Sequence, residues 1–291
     1  MKRILITGAN SYVGTSFERH MKQWPDAYTV DTVDMVDGTW KEHSFRGYDA
    51  VFHVAGIVHM KNKKNDAEQI ALFEKVNVQL AVETAKKAKA EGVRQFIFMS
   101  SASVYGLVAP VAREIMITKD TPIAPVDNYG ISKAKAEEGL LALAGDEFRI
   151  VILRPPMIYG KGCKGNYATL SKLARKLPVF PLVDNHRSML YIDNLSELVR
   201  LIVEDGAEGI FCPQNEEYVN TSEMVNLIAH ARGRSILLVK GFGWALRQLR
   251  FVTEMADKAF GSLCYDRELG AYPRPYCVKN YYESVMETES D

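Results

Sequence analysis

Ile4-Leu-Ile-Thr-Gly8-Ala-Asn-Ser11-Tyr-Val-Gly14 is the stretch on which the reading of this 291-residue chain turns. The apolar run from Arg3 to Thr7 predicts a buried strand, and Asn10 to about Trp24 carries helical spacing through Val13, Phe17 and Met21. Between them, small residues recur at three-residue spacing. Gly8 permits a tight turn and Gly14 lets the helix lie close against a sheet. The N–H groups at the helix start, around Asn10, Ser11, Tyr12 and Val13, face a pyrophosphate. Ser11 stands at the middle small position, where a side chain crowds the phosphates unless its hydroxyl supplies a hydrogen bond in return.

The next two strands extend this reading. Tyr28–Asp34 ends on Asp34, twenty positions beyond Gly14, where a carboxylate can bind adenosine ribose hydroxyls and repel a 2′-phosphate. Met35 follows with no basic residue beside it, so NAD is expected rather than NADP, with Asp31 as the rival for the ribose. His53-Val-Ala-Gly56 closes another strand, and Val54, Ala55 and Gly56 suit a wall against adenine or ribose. His53 lies between Phe52 and Val54 and reads as a core histidine, while His59, past the strand end, is a candidate ligand contact. Asn77 opens a helical pattern, where a cap or an inter-element hydrogen bond competes with a catalytic role.

Further apolar runs at Ala50–Ala55, Gln95–Ser100, Ile150–Arg154 and Ile210–Pro213 alternate with helical stretches at about Gln69–Glu91, Asn128–Ala144 and Asn194–Glu204. This alternation predicts an α/β protein built on a Rossmann doubly wound parallel sheet, with a smaller α/β C-terminal substrate lobe. The expected division is residues 1–160 for the dinucleotide domain and 161–291 for the lobe, with 191–213 returning to the sheet. Ile236–Phe260 is basic and amphipathic, with Trp244, Leu246, Leu249 and Val252 among Arg247 and Arg250, and reads as a packed helix with a solvated basic face.

Tyr129-Gly-Ile-Ser-Lys133 carries the chemistry. Residues i and i+4 share a helix face, so an ammonium at Lys133 can stabilise a phenolate at Tyr129. A free phenol has a pKa of about 10, so a general base near pH 7 needs roughly 4 kcal/mol of help. Lys plus Arg equals Asp plus Glu at 36 each, which excludes a global field that recruits nucleic acid or an anionic membrane. No segment approaches the ~20 apolar residues of a membrane span, and no signal peptide is evident. Cys163, Cys212, Cys264 and Cys277 lack metal-ligand spacing, so no metal is expected and they read as reduced thiols of a cytoplasmic protein.

With these motifs, Ser100-Ser-Ala-Ser-Val-Tyr-Gly106, Leu153-Arg-Pro-Pro-Met-Ile-Tyr-Gly160 and Arg187-Ser-Met-Leu-Tyr-Ile-Asp193 complete an ordered set over nearly the whole length. The chain resembles the extended short-chain dehydrogenase/reductases, in the nucleotide-sugar epimerase/dehydratase branch. Within it the chain looks most like UDP-glucose 4-epimerase-like proteins and UDP-4-keto-sugar C4-reductases, through Gly162-Cys-Lys-Gly165-Asn166 and Gly261-Ser-Leu263. The resemblance implies an NAD-dependent 4-epimerase of a UDP-sugar acting through a transient 4-keto intermediate; the alternatives are a 4-keto-sugar reductase and a non-catalytic dinucleotide sensor. A dehydratase is disfavoured because Ala102-Ser103, not an Asp-Glu pair, follow Ser101.

By the same resemblance Ser101, Tyr129 and Lys133 are the catalytic residues, and Lys133 holds the nicotinamide ribose. Ser100 and Arg154-Pro155-Pro156 border the cofactor, while Ser103, Asn166 and Arg187 meet the substrate. It also implies a homodimer through helices of the Rossmann domain. The chain departs from the family in a shorter substrate lobe and in Asn194, where an acidic residue is frequent.

Overall fold

The computed structural model describes residues 1–58, 66–111, 113–241 and 254–290; His59 and the Trp244–Val252 stretch lie outside them. Six parallel strands form the main sheet: β1 (Lys2–Thr7), β2 (Tyr28–Val33), β3 (Ala50–His53), β4 (Gln95–Met99), β6 (Arg149–Leu153) and β10 (Gly209–Phe211). Their order across the sheet is β10-β6-β4-β3-β1-β2. β1 therefore pairs with β2 on one side and β3 on the other, so successive crossovers leave it in opposite directions. That reversal opens a crevice at the carboxyl ends of β1, β2 and β3.

Near-continuous apolar strands are what a parallel sheet buried on both faces requires. Leu5, Val51, Phe96, Phe98, Ile150 and Ile152 face Ala81, Ala85 and Ala88 of helix α3 (Leu80–Ala90) and Ala136 and Leu140 of α4 (Asn128–Leu141). On β3, Phe52 takes the edge of Phe17, from helix α1 (Tyr12–Met21), with ring centroids 5.2 Å apart. His53 is fully buried, its Nδ1 2.7 Å from Thr7 Oγ1 and its ring stacked on Phe96 and Phe98. Burial pushes it down to about 3, so it is a neutral core imidazole.

The helix expected over Gln69–Glu91 is one continuous element with a change of pitch. Helix α2 (Ala67–Phe73) runs into a π-helical turn (Glu74–Gln79) and then into α3.

The chain divides into two compact units. The first comprises Met1–Gly106, Pro122–Pro155 and Ser196–Cys212, and the second Leu107–Thr121, Pro156–Leu195 and Pro213–Asp291. The second unit holds three two-stranded parallel sheets: β5 (Glu114–Ile117) with β12 (Ser262–Tyr265), β7 (Met157–Tyr159) with β9 (Met189–Tyr191), and β8 (Val179–Pro181) with β11 (Leu237–Val239). Helices α5 (Asn166–Lys176), α7 (Thr221–Ala231) and the C-terminal helix Tyr281–Glu289 also belong to it. Glu289, 3% exposed, accepts from Ser171 Oγ (3.1 Å) and Arg232 Nε (2.7 Å), tying the last helix to α5 and to the residue that follows α7. Among the described residues no helix is long and apolar enough to cross a membrane.

Candidate active site

At the crevice, Gly8 takes φ +121°, and a Cβ there would meet the Ala55 backbone nitrogen at 2.8 Å. Gly14 approaches just as closely, with Ile6 and Val54 methyls at 3.1 and 3.2 Å from a Cβ. Asn10 takes the left-handed conformation (φ 60°), which Asn tolerates better than most residues. Ser11 is the N-cap of α1, its hydroxyl accepting from Gly14 N–H at 3.1 Å. The hydroxyl is thus turned into the helix and leaves the crevice side of the turn open.

A cleft of about 760 Å³ runs from this turn past Asp34, Val54, Ala55 and Gly56. It is large enough for half a dinucleotide. The Asp34 carboxylate is exposed there and accepts from Val36 N–H at 3.0 Å, whereas Asp31 is engaged by Tyr48 (2.7 Å) and Arg3 (3.4 Å). Sequence reasoning missed other lining residues of this cleft: Trp40, Val76 and Leu80, and Lys41, which is paired with Glu83 at 3.3 Å. No local motif marks these residues, because they come from a short 3₁₀ turn (Thr39–Lys41) and from the π turn and start of α3, apart in the chain from the Gly8 turn.

Lys133 meets the cleft at Gly56, and Tyr129 and Ser101 lie next to it. Asp127 caps α4, its carboxylate accepting from Gly130 N–H at 2.7 Å, so Tyr129 falls in the first turn and Lys133 one turn on. A Cβ on Gly130 would meet the Ser103 carbonyl at 2.4 Å; glycine lets the helix start press against the 3₁₀ turn Ala102–Tyr105. Ser101 caps that turn, its Oγ accepting from Ser103 N–H and donating to Ser103 Oγ, both at 3.2 Å. Ser101 also acts on the Tyr129 phenol, pulling its pKa down.

Lys133, 4% exposed, donates to the Met99 carbonyl at 2.7 Å and lies 4.5 Å over the Phe98 ring. A Cβ on Gly56 would come within 3.4 Å of its Nζ and 3.1 Å of Asn77 Oδ1, so glycine keeps that space open. Asn77, fully buried on the π turn, makes the inter-element bonds weighed above. It accepts from Ile57 N–H (2.9 Å) and donates to the Ile57 carbonyl (3.1 Å) and Ser132 Oγ (3.0 Å).

The electrostatics differ from the expectation that Lys133 lowers Tyr129. Burial pushes the Tyr129 phenol up to about 12, against the pull of Ser101 and with a smaller push from Asp127. Burial also pushes Lys133 down to about 8, against the pull of Glu137. Desolvation dominates both shifts, and the Lys133 ammonium lies 5.9 Å from the Tyr129 ring centre.

Two other residues behave differently from expectation. The Ser100 hydroxyl turns inward to the buried Glu137 carboxylate. Arg154 also points inward, donating to Glu137 (Nη2 at 2.6 Å, Nε at 3.1 and 3.2 Å) and to Tyr105 OH (3.0 Å). Neither polar group faces the cleft, because a buried carboxylate needs these donors.

In the second unit, Pro156 is partly buried and Asn166 opens α5, exposed, after Gly165 at φ 87°. Arg187 is not a free surface charge. Its backbone pairs with Val219 and its Nη1 donates to the Gly261 carbonyl at 2.8 Å. Among the described residues no cluster of His, Cys, Asp and Glu could hold a metal ion.

Comparison with known proteins places these features in a lineage. Residues 4–216 match the profile of the NAD dependent epimerase/dehydratase family. UDP-glucose 4-epimerase of Vibrio cholerae is 34% identical over 251 residues, 79% of this chain and 76% of that protein. N-acetyl-alpha-D-glucosaminyl-diphospho-ditrans,octacis-undecaprenol 4-epimerase of Escherichia coli O157:H7 is 29% identical over 71% of this chain and 64% of that protein. In fold, the chain is similar to UDP-glucuronic acid 4-epimerase from Bacillus cereus, solved with NAD (TM-score 0.73, 16% identity, 99% and 97% of the two chains).

Proposed function

Because the chain belongs to the NAD dependent epimerase/dehydratase family, we propose that it is an NAD-dependent 4-epimerase of a UDP-sugar, working through a transient 4-keto sugar. The observation that carries this reading is that Lys133, with Tyr129 and Ser101 next to it, reaches Gly56 of the cleft that the Gly8 turn also lines. Tyr129→Phe, argued below, tests that constellation directly.

The residues fit a dinucleotide. Gly8, Asn10 and the start of α1 receive the pyrophosphate, the Asp34 carboxylate receives the adenosine ribose, and Val54, Ala55 and Gly56 form the wall. Lys133 reaches the second ribose through the space Gly56 leaves open. NAD, when bound, supplies the hydride acceptor for C4 of the sugar. Burial keeps Tyr129 protonated at rest. To take the O4 proton as hydride leaves C4 it must first release its own proton to water, which the Lys133 ammonium and the positive charge of bound NAD would favour. As the phenol it then returns that proton to O4 when the hydride comes back, with Ser101 beside it. Asn166 and Arg187 hold the diphosphate and Ser103 meets the sugar, the guanidinium fork suiting two phosphate oxygens. A homodimer through the first unit's helices belongs to the same proposal: the outer face of α4 exposes Ile131 and Leu141.

Two measurements test the reading. Absorbance and mass of the nucleotide released on denaturing the purified protein should give NAD, and UDP-glucose or UDP-N-acetylglucosamine should equilibrate with its C4 epimer without added cofactor. Consumption of one reduced nicotinamide per turnover of a 4-keto sugar, with no epimerisation, would replace the epimerase with a reductase.

A further inference from the structure

One carboxylate, that of Glu137, links α4 to the residues that follow β4 and β6. It stands one helical turn after Lys133 on α4 and is 4% exposed. It accepts from Ser100 at the end of β4, next to Ser101, and from Arg154, which follows β6. Arg154 in turn donates to Tyr105, the last residue of the turn that Ser101 caps. The Ser101 turn is thus held at both ends, at Ser100 directly and at Tyr105 through Arg154. Its middle is pinned as well, by Ala102 N–H donating to the Pro155 carbonyl at 3.0 Å.

We infer that Glu137 is the positioning residue of the site: its carboxylate clamps the Ser101 turn against α4 and supplies the counter-charge that keeps Lys133 an ammonium. The inference deepens the dinucleotide reading and rests on it for the role of Lys133.

Neutral His53 on β3, the Phe98 ring and the Met99 carbonyl on β4, and the un-ionised Tyr129 phenol on α4 offer Lys133 no negative charge. Arg154 and Tyr105 approach Glu137 from the other side, with Cys212 3.6 Å from the Tyr105 hydroxyl. Asp127, at the start of α4, acts on Tyr129. Glu137 is the group that opposes the discharge of Lys133 by burial.

The test uses the full chain with Glu137→Gln and, because a lone buried Arg154 is strongly destabilising, Glu137→Gln/Arg154→Gln. Urea unfolding without added NAD is followed from pH 6 to 10. Lys133 is depressed in the folded state, so the unfolded chain binds the extra proton and stability rises with pH from about 8 toward 10.5. Lys133→Met identifies this component by removing it. In Glu137→Gln its onset should move down by half a pH unit or more, with calorimetric NAD affinity beginning to fall at correspondingly lower pH; in the double variant, which also removes the Arg154 cation, the shift should keep that direction and be smaller. An unchanged onset, with only a uniform loss of stability, would make Glu137 a structural residue and overturn the inference. A parent protein that shows the onset and binds no NAD would instead sink the dinucleotide reading and leave the electrostatic result intact.

Discussion

Tyr129 at about 12 and Lys133 at about 8 are displaced in opposite directions from their free values by the same cause, loss of water. The phenol therefore keeps its proton at neutral pH, with Ser101 pulling its pKa the other way. Tyr129→Phe should lower turnover by about 10²–10⁴-fold while calorimetric NAD affinity stays within a few-fold of the parent, because ring packing survives and only the proton-transfer group is lost. Near-native turnover in the Phe variant would remove Tyr129 from the chemistry. Asp34 is exposed in the cleft, whose lining also includes Lys41. Asp34→Ala should relax the preference for NAD over NADP, read as the ratio of the two dissociation constants. A ratio that does not move would pass the discrimination to the Trp40–Lys41 wall.

At the scale of elements, the start of α4 and the 3₁₀ turn touch through Gly130. In an open helix alanine is better than glycine by about 1 kcal/mol. Here the added Cβ would stand 2.4 Å from the Ser103 carbonyl, and overpacking of that kind costs about 1–3 kcal/mol. Gly130→Ala should therefore destabilise the protein on balance and cut turnover by more than its loss of stability explains, since it pushes Tyr129 away from Ser101. Urea unfolding and steady-state kinetics on the same preparation check both halves. The segment around Arg187 makes the corresponding claim for the second unit, because its backbone pairing with Val219 and its bond to Gly261 hold the guanidinium in place. Arg187→Ala should weaken UDP binding in calorimetry while NAD affinity hardly changes, and Arg187→Lys should recover only part of the loss for want of the fork. Equal UDP affinity in the Ala variant would show that Arg187 is purely structural.

For the whole molecule, the two compact units predict separate footprints. In hydrogen exchange, NAD should protect amides of the first unit around Gly8–Gly14 and Val54–Gly56, and UDP those of the second around Asn166 and Arg187. NAD at a hundred times its dissociation constant should add about 2.7 kcal/mol to the unfolding free energy; protection spread evenly over both units by NAD alone would contradict the assignment. Much of this was legible in the sequence. The strand-turn-helix opening, the alternation that implies a parallel sheet, the acidic end of β2 and the Tyr129–Lys133 pair are patterns of periodicity and local spacing, and chain connectivity carries those without help. Tertiary structure alone decided what the side chains do where elements meet. It turned Ser100 and Arg154 inward to Glu137, brought Trp40 and Lys41 to the cleft, set Asn77 between Ile57 and Ser132, and raised Tyr129 where spacing to Lys133 had implied the opposite. The reason is that desolvation and hydrogen-bond satisfaction depend on every group packed around an atom, and those groups come from positions far apart in the chain.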